Sequence, residues 1–274
     1  MEQALDLNSI YHARASAPAA ASVPASMTDD AFLGGKLQIL QPEKGYRAGI
    51  DAVFLAAAIP AVDGETVFEA GIGAGVASLC LLARHPMVHV TGIEISTRYA
   101  VLCEQNAKRN GLTNSLRVIH AEVKDAMRRD LANMPEHGSF SHAFANPPYF
   151  EEGKVTPSPS LLKAQAHAFG PDDLELWVKL LHSIVTLRGT VTLIHKADSL
   201  GKLLGCMEPK FGDIRVAPLY AREGSTASRV IVQGVKGSRA PMQLLPGLVL
   251  HAADNSFTPD AEAVLRDGAA WRLR

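Results

Sequence analysis

The chemistry that stands out in this sequence lies in four consecutive residues, Asn146, Pro147, Pro148 and Tyr149. They follow the short apolar run 143–145, which is typical of a strand ending at a sheet edge. The Asn146 side-chain oxygen and the Pro147 carbonyl can each accept an N–H, so together they would orient a planar nitrogen nucleophile. The two prolines fix φ and offer no competing backbone donor, and Tyr149 offers a flat face for stacking a base. We interpret this tetrapeptide as an acceptor-binding element; an ordinary proline-rich turn is the alternative.

A glycine-rich turn forms the second candidate site, with Gly71, Gly73 and Gly75 between a predicted strand and a predicted helix. Such a turn binds anions or nucleotides through backbone N–H groups and the helix dipole. A dinucleotide fingerprint needs G-x-G-x-x-G/A, and the glycines here follow neither possible register. Glu69 lies two residues before Gly71 and gives the pattern E-x-G-x-G-x-G instead. The spacing therefore argues against a dinucleotide.

Acidic residues follow the next two predicted strands. Glu94 ends the second strand of the alternating region, and Glu122 lies just past the third. Ligands of open α/β sheets bind at the carboxyl ends of the strands, where an acid can accept ribose hydroxyls. For each acid taken alone, a solvent-exposed strand end is the alternative, but Glu69, Glu94 and Glu122 at three successive strand ends favour a shared ligand site.

The composition is that of an ordinary globular protein of 274 residues, with 47% hydrophobic and 20% charged residues and a formal net charge of −1. No global charge attracts nucleic acid, so local patches would decide such binding. The three cysteines are widely spaced in apolar helical patterns, which predicts buried thiols in a reducing, cytoplasmic compartment. No histidine pairs with them at zinc-finger spacing, and no apolar stretch is long enough to cross a bilayer, so we expect neither a metal nor membrane association.

Strands and helices alternate after residue 65, which predicts a mostly parallel sheet with helices on both faces. We expect residues 1–30, rich in Ala, Ser and Pro, to form a flexible tail, and residues 31–274 to form a single domain. The predicted strands are 35–42 (one arm of a small hairpin), 66–70, 88–93, 116–120, 141–145, 189–194, 213–220, 229–235 and 248–251. The predicted helices are 50–59 (buried, with Asp51 as its N-cap), 76–84, 96–110, 123–133, 172–187, 197–208 and a turn after 259. Residues 150–170 lack periodicity and predict a functional loop beside the acceptor element.

Residues 31–270 resemble the small bacterial methyltransferase family typified by the tRNA(Val) adenine-N6 methyltransferase. The resemblance rests on four motifs: GYRAGIDAVFL (45–55), EAGIGAG (69–75), NPPYF (146–150) and FTPDA (257–261). It implies an α/β class I methyltransferase fold, with a seven-stranded, mostly parallel sheet in the order 3-2-1-4-5-7-6 and an antiparallel last strand. It also implies S-adenosylmethionine as cofactor and direct, metal-free transfer of its methyl group to the N6 amine of a tRNA adenine.

The resemblance assigns roles to the candidate residues. Asn146 and the Pro147 carbonyl would hold the amine, and Tyr149 would stack on the flipped base. The residues implied to line the cofactor pocket are Tyr46, Asp51, Glu69, Gly71, Gly73, Gly75, Glu94, Glu122 and Asn146. The resemblance does not assign the tRNA contacts. Because the sequence shows no strongly basic arm, contacts with tRNA would have to come from separate basic residues such as Lys154, Lys163, Lys196, Lys202 and Arg222.

Four alternative functions share parts of this pattern. Protein-glutamine methyltransferases use the same tetrapeptide, although they usually carry a helical domain before the cofactor domain, and the first 30 residues here are too short to supply one. Methyltransferases acting on a guanine amine in rRNA or on DNA adenine also remain open. A binding module that has kept the fold without transfer is the fourth alternative, and intact Asn146 and Tyr149 argue against it.

Overall fold

A computed structural model of the chain describes residues 26–128, 131, 133–148 and 173–273. Most of the predicted tail and all of the predicted loop 150–170 lie outside these described residues, as do Tyr149, Lys154 and Lys163.

A hairpin precedes the main domain. Strand β1 (Met27–Phe32) pairs antiparallel with β2 (Leu37–Pro42), which confirms the predicted hairpin arm. The structure corrects the predicted boundary of the tail, because residues 27–30 belong to β1 and are paired along their length with residues 39–42. The sequence did not indicate this strand because residues 28–30 are polar. In the structure, Asp29 and Ala31 are exposed and the other side chains of β1 are partly buried.

The main sheet contains nine strands within the described residues. They are β3 (Thr66–Ala70), β4 (His89–Glu94), β5 (Leu116–His120), β6 (Phe140–Ala145), β7 (Val185–Lys196), β8 (Phe211–Arg222), β9 (Ala227–Lys236), β10 (Gln243–Leu244) and β11 (Leu248–His251). The order of the seven principal strands is β5-β4-β3-β6-β7-β9-β8, which is 3-2-1-4-5-7-6 when counted from β3. Strands β3 to β7 pair in parallel, and β9 runs antiparallel to both β7 and β8. The predicted class I fold is confirmed, and the sheet is wider than the predicted seven strands because β10 and β11 pair with the outer edge of β8.

Helices cover both faces of the sheet. They are α1 (Ile50–Ala58), α2 (Val76–Arg84), α3 (Thr97–Arg109), α4 (Val123–Ala126), α5 (Asp173–Ile184), α6 (Leu200–Met207) and the short α7 (Pro259–Glu262). One apolar cluster contains α1 and α2, and the other contains α5 and the buried side of α6. Residues 52–58 of α1 are all buried, as its apolar sequence predicts. Helices thus cover both faces of the sheet, and a ligand site would be formed by the loops at the carboxyl ends of its strands.

Two predicted helices are shorter in the structure. The helix predicted over 123–133 ends at Ala126, and Leu131 and Met134 pack against the core without helical geometry, so their apolar spacing misled the prediction. The helix predicted over 172–187 ends at Ile184, because Val185 already pairs with Phe140 of β6. A β-branched residue such as Val185 suits this strand position.

Candidate functional site

The glycine turn and the acceptor tetrapeptide begin side by side. Ala70, the last residue of β3, pairs in parallel with Ala145, the last residue of β6. Gly71 and Asn146 therefore leave neighbouring strands at the same level of the carboxyl edge. Pro147, which follows, is buried, whereas Asn146 is partly exposed.

The backbone of the turn requires glycine at Gly71 and Gly75. Both have positive φ, 68° and 88°, which side chains with a Cβ rarely adopt. A Cβ at Gly71 would lie 2.6 Å from Cη2 of Trp177, and one at Gly75 would lie 2.6 Å from Sγ of Cys103. Trp177 of α5 and Cys103 of α3 thus pack directly against the turn, and neither contact is visible in the local sequence.

The turn is anchored to the neighbouring strand β4. The Ile72 N–H donates to the Ile93 carbonyl at 2.9 Å, and the Gly73 N–H donates to Oε2 of Glu94 at 2.9 Å. At Gly73 a Cβ would have one described neighbour within 4 Å, Cε1 of Tyr46 at 3.7 Å, so this residue faces the space below the Tyr46 ring. The Gly73 N–H is therefore directed to a carboxylate and not to a ligand.

Glu94 ends β4 and is 9% exposed. Its second oxygen, Oε1, accepts the Ser96 N–H at 2.9 Å. Burial raises the pKa of this carboxyl, and hydrogen bonds from Ser96 and Gly73 act in the opposite direction. Each carboxylate oxygen can accept a second hydrogen bond, so Glu94 keeps the capacity to receive ribose hydroxyls. These carboxylate acceptors fit the ribose hydroxyls of S-adenosylmethionine.

Glu69 lies in β3 with only 3% of its surface exposed. It accepts a short hydrogen bond from the Ser78 hydroxyl, on α2. Burial raises its pKa to about 8, opposed by the hydrogen bonds of Ser78 and assisted by the charge of Glu94. Glu69 therefore joins β3 to α2, the two elements on either side of the turn, and its contact with a cofactor stays a prediction.

Tyr46 lies beside the turn at Gly73. Its ring is half-exposed and meets the ring of Tyr99 edge to face, with centroids 6.4 Å apart. The Tyr99 hydroxyl donates to the Tyr46 carbonyl at 2.8 Å. Desolvation, followed by the negative charges of Glu69 and Asp51, raises the pKa of Tyr46 to about 12, so its hydroxyl keeps its proton. The Tyr46 ring thus lies next to Gly73, and its contact with a cofactor stays a prediction.

Asp51 does not cap α1, contrary to the prediction. Gly49 occupies the N-cap, and Asp51 lies in the first turn, where its carboxylate still complements the helix dipole. Its Oδ2 accepts a hydrogen bond from Nε of Arg229, at the start of β9, at a distance of 2.8 Å. No motif distinguishes Arg229 in the sequence. Between Asp51 and Arg229 lie 177 residues, and only the fold brings the two side chains together. The Asp51–Arg229 ion pair joins the start of α1 to the carboxyl edge of the sheet.

Glu122 follows β5 and occupies the N-cap position of α4, where its side chain makes no cap hydrogen bond. The preceding residue is tied to β4, because the Ala121 N–H donates to the Glu94 carbonyl at 3.0 Å. Glu122 and Glu94 therefore stand on adjacent strand ends, as the sequence predicted. Exposed Ile95, 46% accessible beside Glu94, adds an apolar surface that the sequence did not single out.

Among the described residues, no group of three or more His, Cys, Asp or Glu side chains is arranged to hold a metal ion. The helices of the described ranges include none long and apolar enough to span a membrane.

Buried Glu69 leads to a prediction about stability. The charged carboxylate is the costly form in the folded protein, so stability should fall as pH rises from the ordinary pKa of 4.5 to the raised value of about 8. Glu69→Gln should therefore gain stability relative to the wild type over this range, by at most about 5 kcal/mol, since one pKa unit corresponds to about 1.4 kcal/mol. Urea unfolding of both proteins between pH 6 and pH 9 measures the difference, with exposed Glu43→Gln as the control. A difference that does not change with pH would show that Glu69 ionises normally.

Comparison with known proteins agrees with this geometry. Residues 48–168 match the family model of the methyltransferase small domain. A protein named tRNA1(Val) (adenine(37)-N6)-methyltransferase from Shewanella baltica is 24% identical over 81% of this chain and 92% of its own length. Its namesake from Shewanella sediminis is 29% identical over 58% of this chain and 63% of its own length. The crystal structure of a predicted O-methyltransferase from Agrobacterium tumefaciens superposes with a TM-score of 0.67 at 25% identity, over 81% of this chain and 98% of that one.

The strand order, the glycine turn with its acids and these similarities agree on the cofactor and on the reaction class. The chain is an S-adenosylmethionine-dependent methyltransferase with the class I fold, and its residues 48–168 are similar to the methyltransferase small domain.

Proposed function

We propose that the protein methylates the exocyclic N6 amine of an adenine in tRNA. The observation that carries the proposal is the pairing of Ala70 with Ala145, which starts the glycine turn and Asn146-Pro147 from adjacent strand ends. A cofactor on the turn and an acceptor on Asn146 would then be neighbours. The names of the Shewanella relatives support adenine in tRNA as that acceptor. A tRNA substrate also agrees with the cytoplasmic location expected from the sequence.

The acceptor pair favours nitrogen over oxygen as the methylated atom. Asn146 and the Pro147 carbonyl provide two hydrogen-bond acceptors, and an exocyclic amine has two N–H groups to donate. A hydroxyl has one. Although the similar Agrobacterium protein is described as a predicted O-methyltransferase, this chain's acceptor pair is better matched to an amine.

S-adenosylmethionine supplies the activated methyl group when bound. The chain's own contribution is orientation and the exclusion of water. Glu94 would hold the ribose, Glu122 the adenine end and Tyr46 with Asp51 the methionine end. Asn146 and Pro147 would hold the target amine with its lone pair directed at the methyl group, and Tyr149 would stack on the target base. Proximity and alignment of this kind account for a large part of the barrier reduction in two-substrate reactions.

Basic residues at the same edge of the sheet support an RNA substrate. Lys196 ends β7, Lys202 lies exposed on the following helix α6, and Arg222 ends β8. Since β7 and β8 both run parallel to β6, these side chains share the carboxyl edge with Asn146. We infer that they contact tRNA phosphates, which attract Lys and Arg independently of sequence.

The decisive experiment uses labelled S-adenosylmethionine with two substrates in parallel, total tRNA and release-factor protein. We expect label in tRNA and a methylated adenine by nucleoside mass spectrometry, with about 100-fold slower labelling by the Asn146→Ala variant. Label on protein glutamine alone would contradict the tRNA proposal and identify the protein as a protein-glutamine methyltransferase. Methylated guanine, or methylated adenine in DNA only, would identify one of the other nucleic-acid alternatives.

A further inference from the structure

Asn106, on α3, is fully buried and joins two distant parts of the chain. Its Oδ1 accepts the Leu40 N–H at 2.8 Å, and its Nδ2 donates to the Leu40 carbonyl at 3.0 Å. The same Nδ2 donates to the Ala74 carbonyl, in the glycine turn, at 2.9 Å. One side-chain amide therefore links strand β2 of the hairpin to the turn.

Asn110, one helical turn later, repeats the two hydrogen bonds with β2 and not the one with the turn. Its Oδ1 accepts the Gln38 N–H at 3.0 Å, and its Nδ2 donates to the Gln38 carbonyl at 2.9 Å. Gln38 and Leu40 are two residues apart, so their backbone groups point from the same edge of β2. The two asparagines thus pair with this edge as a neighbouring strand would. Of the two, only Asn106 also has a hydrogen bond to the turn.

The hairpin also holds the segment that carries Tyr46. Gln41, buried in β2, accepts the Ala48 N–H at 2.8 Å and donates to the Ala48 carbonyl at 3.1 Å. Arg47 forms an ion pair with Asp30 of β1 at 2.6 Å. Adjacent residues of β2 therefore hold both the glycine turn and the segment 46–48. Leu40 connects through Asn106 to the turn, and Gln41 connects to the segment that leads from Tyr46.

The Ala74 carbonyl lies where the backbone has few steric restraints. Gly73 and Gly75, on either side, have φ of 57° and 88° and no Cβ, so alternative orientations of the intervening peptides are accessible to them. The hydrogen bond from Asn106 favours one orientation. Without it, a buried carbonyl would lose its donor, and reorientation of the turn toward another donor would be favoured.

We propose that Asn106 is a positioning residue for cofactor binding, which holds the glycine turn through the Ala74 carbonyl and couples it to the β1–β2 hairpin. The inference rests on the proposed placement of the cofactor at Tyr46 and residues 71–75. Asn106 itself touches neither substrate. Its role should therefore appear in the cofactor's affinity and not in the chemistry of the acceptor.

Asn106→Ala and Asn110→Ala form a matched pair, because both remove contacts with β2 and only the first removes the contact with Ala74. Calorimetry with S-adenosylmethionine, at a temperature where melting curves show both variants folded, should give a dissociation constant about tenfold higher for Asn106→Ala, as expected for one lost buried hydrogen bond. For Asn110→Ala we expect a change of less than about twofold, since its side chain bonds to Gln38 of the hairpin and to the Asn106 carbonyl of its own helix, and makes no described hydrogen bond to the turn. In steady-state assays, Asn106→Ala should raise the KM for the cofactor and leave the KM for RNA and kcat at saturating cofactor nearly unchanged.

Asn106→Ser, which keeps a hydroxyl in the same space, replaces Asn106→Ala if the latter does not fold. Equal losses of cofactor affinity in the Asn106 and Asn110 variants, or unchanged affinity in a folded Asn106 variant, would overturn the inference. Failure of the proposed placement would look different. Gly73→Arg would then leave the affinity of the protein for S-adenosylmethionine unchanged, because the added side chain would not meet the ligand.

Discussion

Asn146→Ala is expected to lower kcat about 100-fold while the dissociation constant of S-adenosylmethionine changes less than about twofold, the size of effect seen when one oriented hydrogen-bonding group is removed from a reacting centre. The physical reason is that the Asn146 oxygen would accept an amine N–H whose acidity grows as the nitrogen acquires positive charge. That interaction strengthens in the transition state, and it does not contribute to the affinity for the cofactor in the ground state. Single-turnover methylation of tRNA, together with calorimetry on the same preparation, measures both quantities.

Two further variants make the result specific. Asn146→Asp keeps an acceptor oxygen and should retain more activity than Asn146→Ala. Asn114→Ala, in an exposed position before β5, should behave as the wild type. If cofactor affinity collapsed in parallel with kcat, Asn146 would have a structural role at the end of β6 and the assignment of the acceptor site would be wrong.

Glu94→Ala should weaken S-adenosylmethionine binding about 100-fold, because hydrogen bonds to a buried charged acceptor contribute about 1.5–3 kcal/mol each. Glu94 also accepts the Gly73 and Ser96 N–H groups, so some of this loss comes from the turn itself. A 2′-deoxy analogue of S-adenosylhomocysteine separates the two causes. The wild type should bind the analogue more weakly than S-adenosylhomocysteine, whereas Glu94→Ala should hardly discriminate between them, as a double-mutant cycle requires for a direct contact.

Glu122→Ala, at the adjacent strand end, provides the comparison. We expect about a tenfold weaker affinity for the cofactor, from the loss of one hydrogen bond to its adenine amine, and normal discrimination against the 2′-deoxy analogue. If Glu94→Ala still bound S-adenosylhomocysteine more tightly than its 2′-deoxy analogue, the assignment of Glu94 to the ribose hydroxyls would be wrong. In that case Glu94 would act only by anchoring the turn at Gly73.

Hydrophobic patterning was sufficient to predict the sheet and most of its helices. The alternation of short apolar strands with amphipathic helices predicts parallel pairing, and β3 to β7 pair in that way. The order of the strands came from the family resemblance, because periodicity reports which residues share a face and not which strands become neighbours. One error arose where apolar residues pack against the core without regular structure, as at the partly buried Leu131 and Met134. Another arose where the polar residues 27–30 form a strand.

The sequence alone determined the chemistry that is available to this protein. The carbonyl acceptors of Asn146-Pro147, the glycine spacing from 71 to 75 and the acids at strand ends all depend on residue type and short-range spacing, which are visible without coordinates. Their common location also follows from the sequence, since parallel strands bring their carboxyl ends to one edge.

Only the tertiary structure decided how the candidate turn is held. Trp177 packs on Gly71, Asn106 binds the Ala74 carbonyl, and Arg229 pairs with Asp51, which is not the helix cap that its position predicted. Each contact joins residues that are tens to hundreds of positions apart in the chain. A buried side chain finds its partner from the elements packed around it, and local sequence does not record that packing. For Asn146-Pro147, the sequence supplied the two acceptors, and the register of β6 against β3 placed them beside the turn.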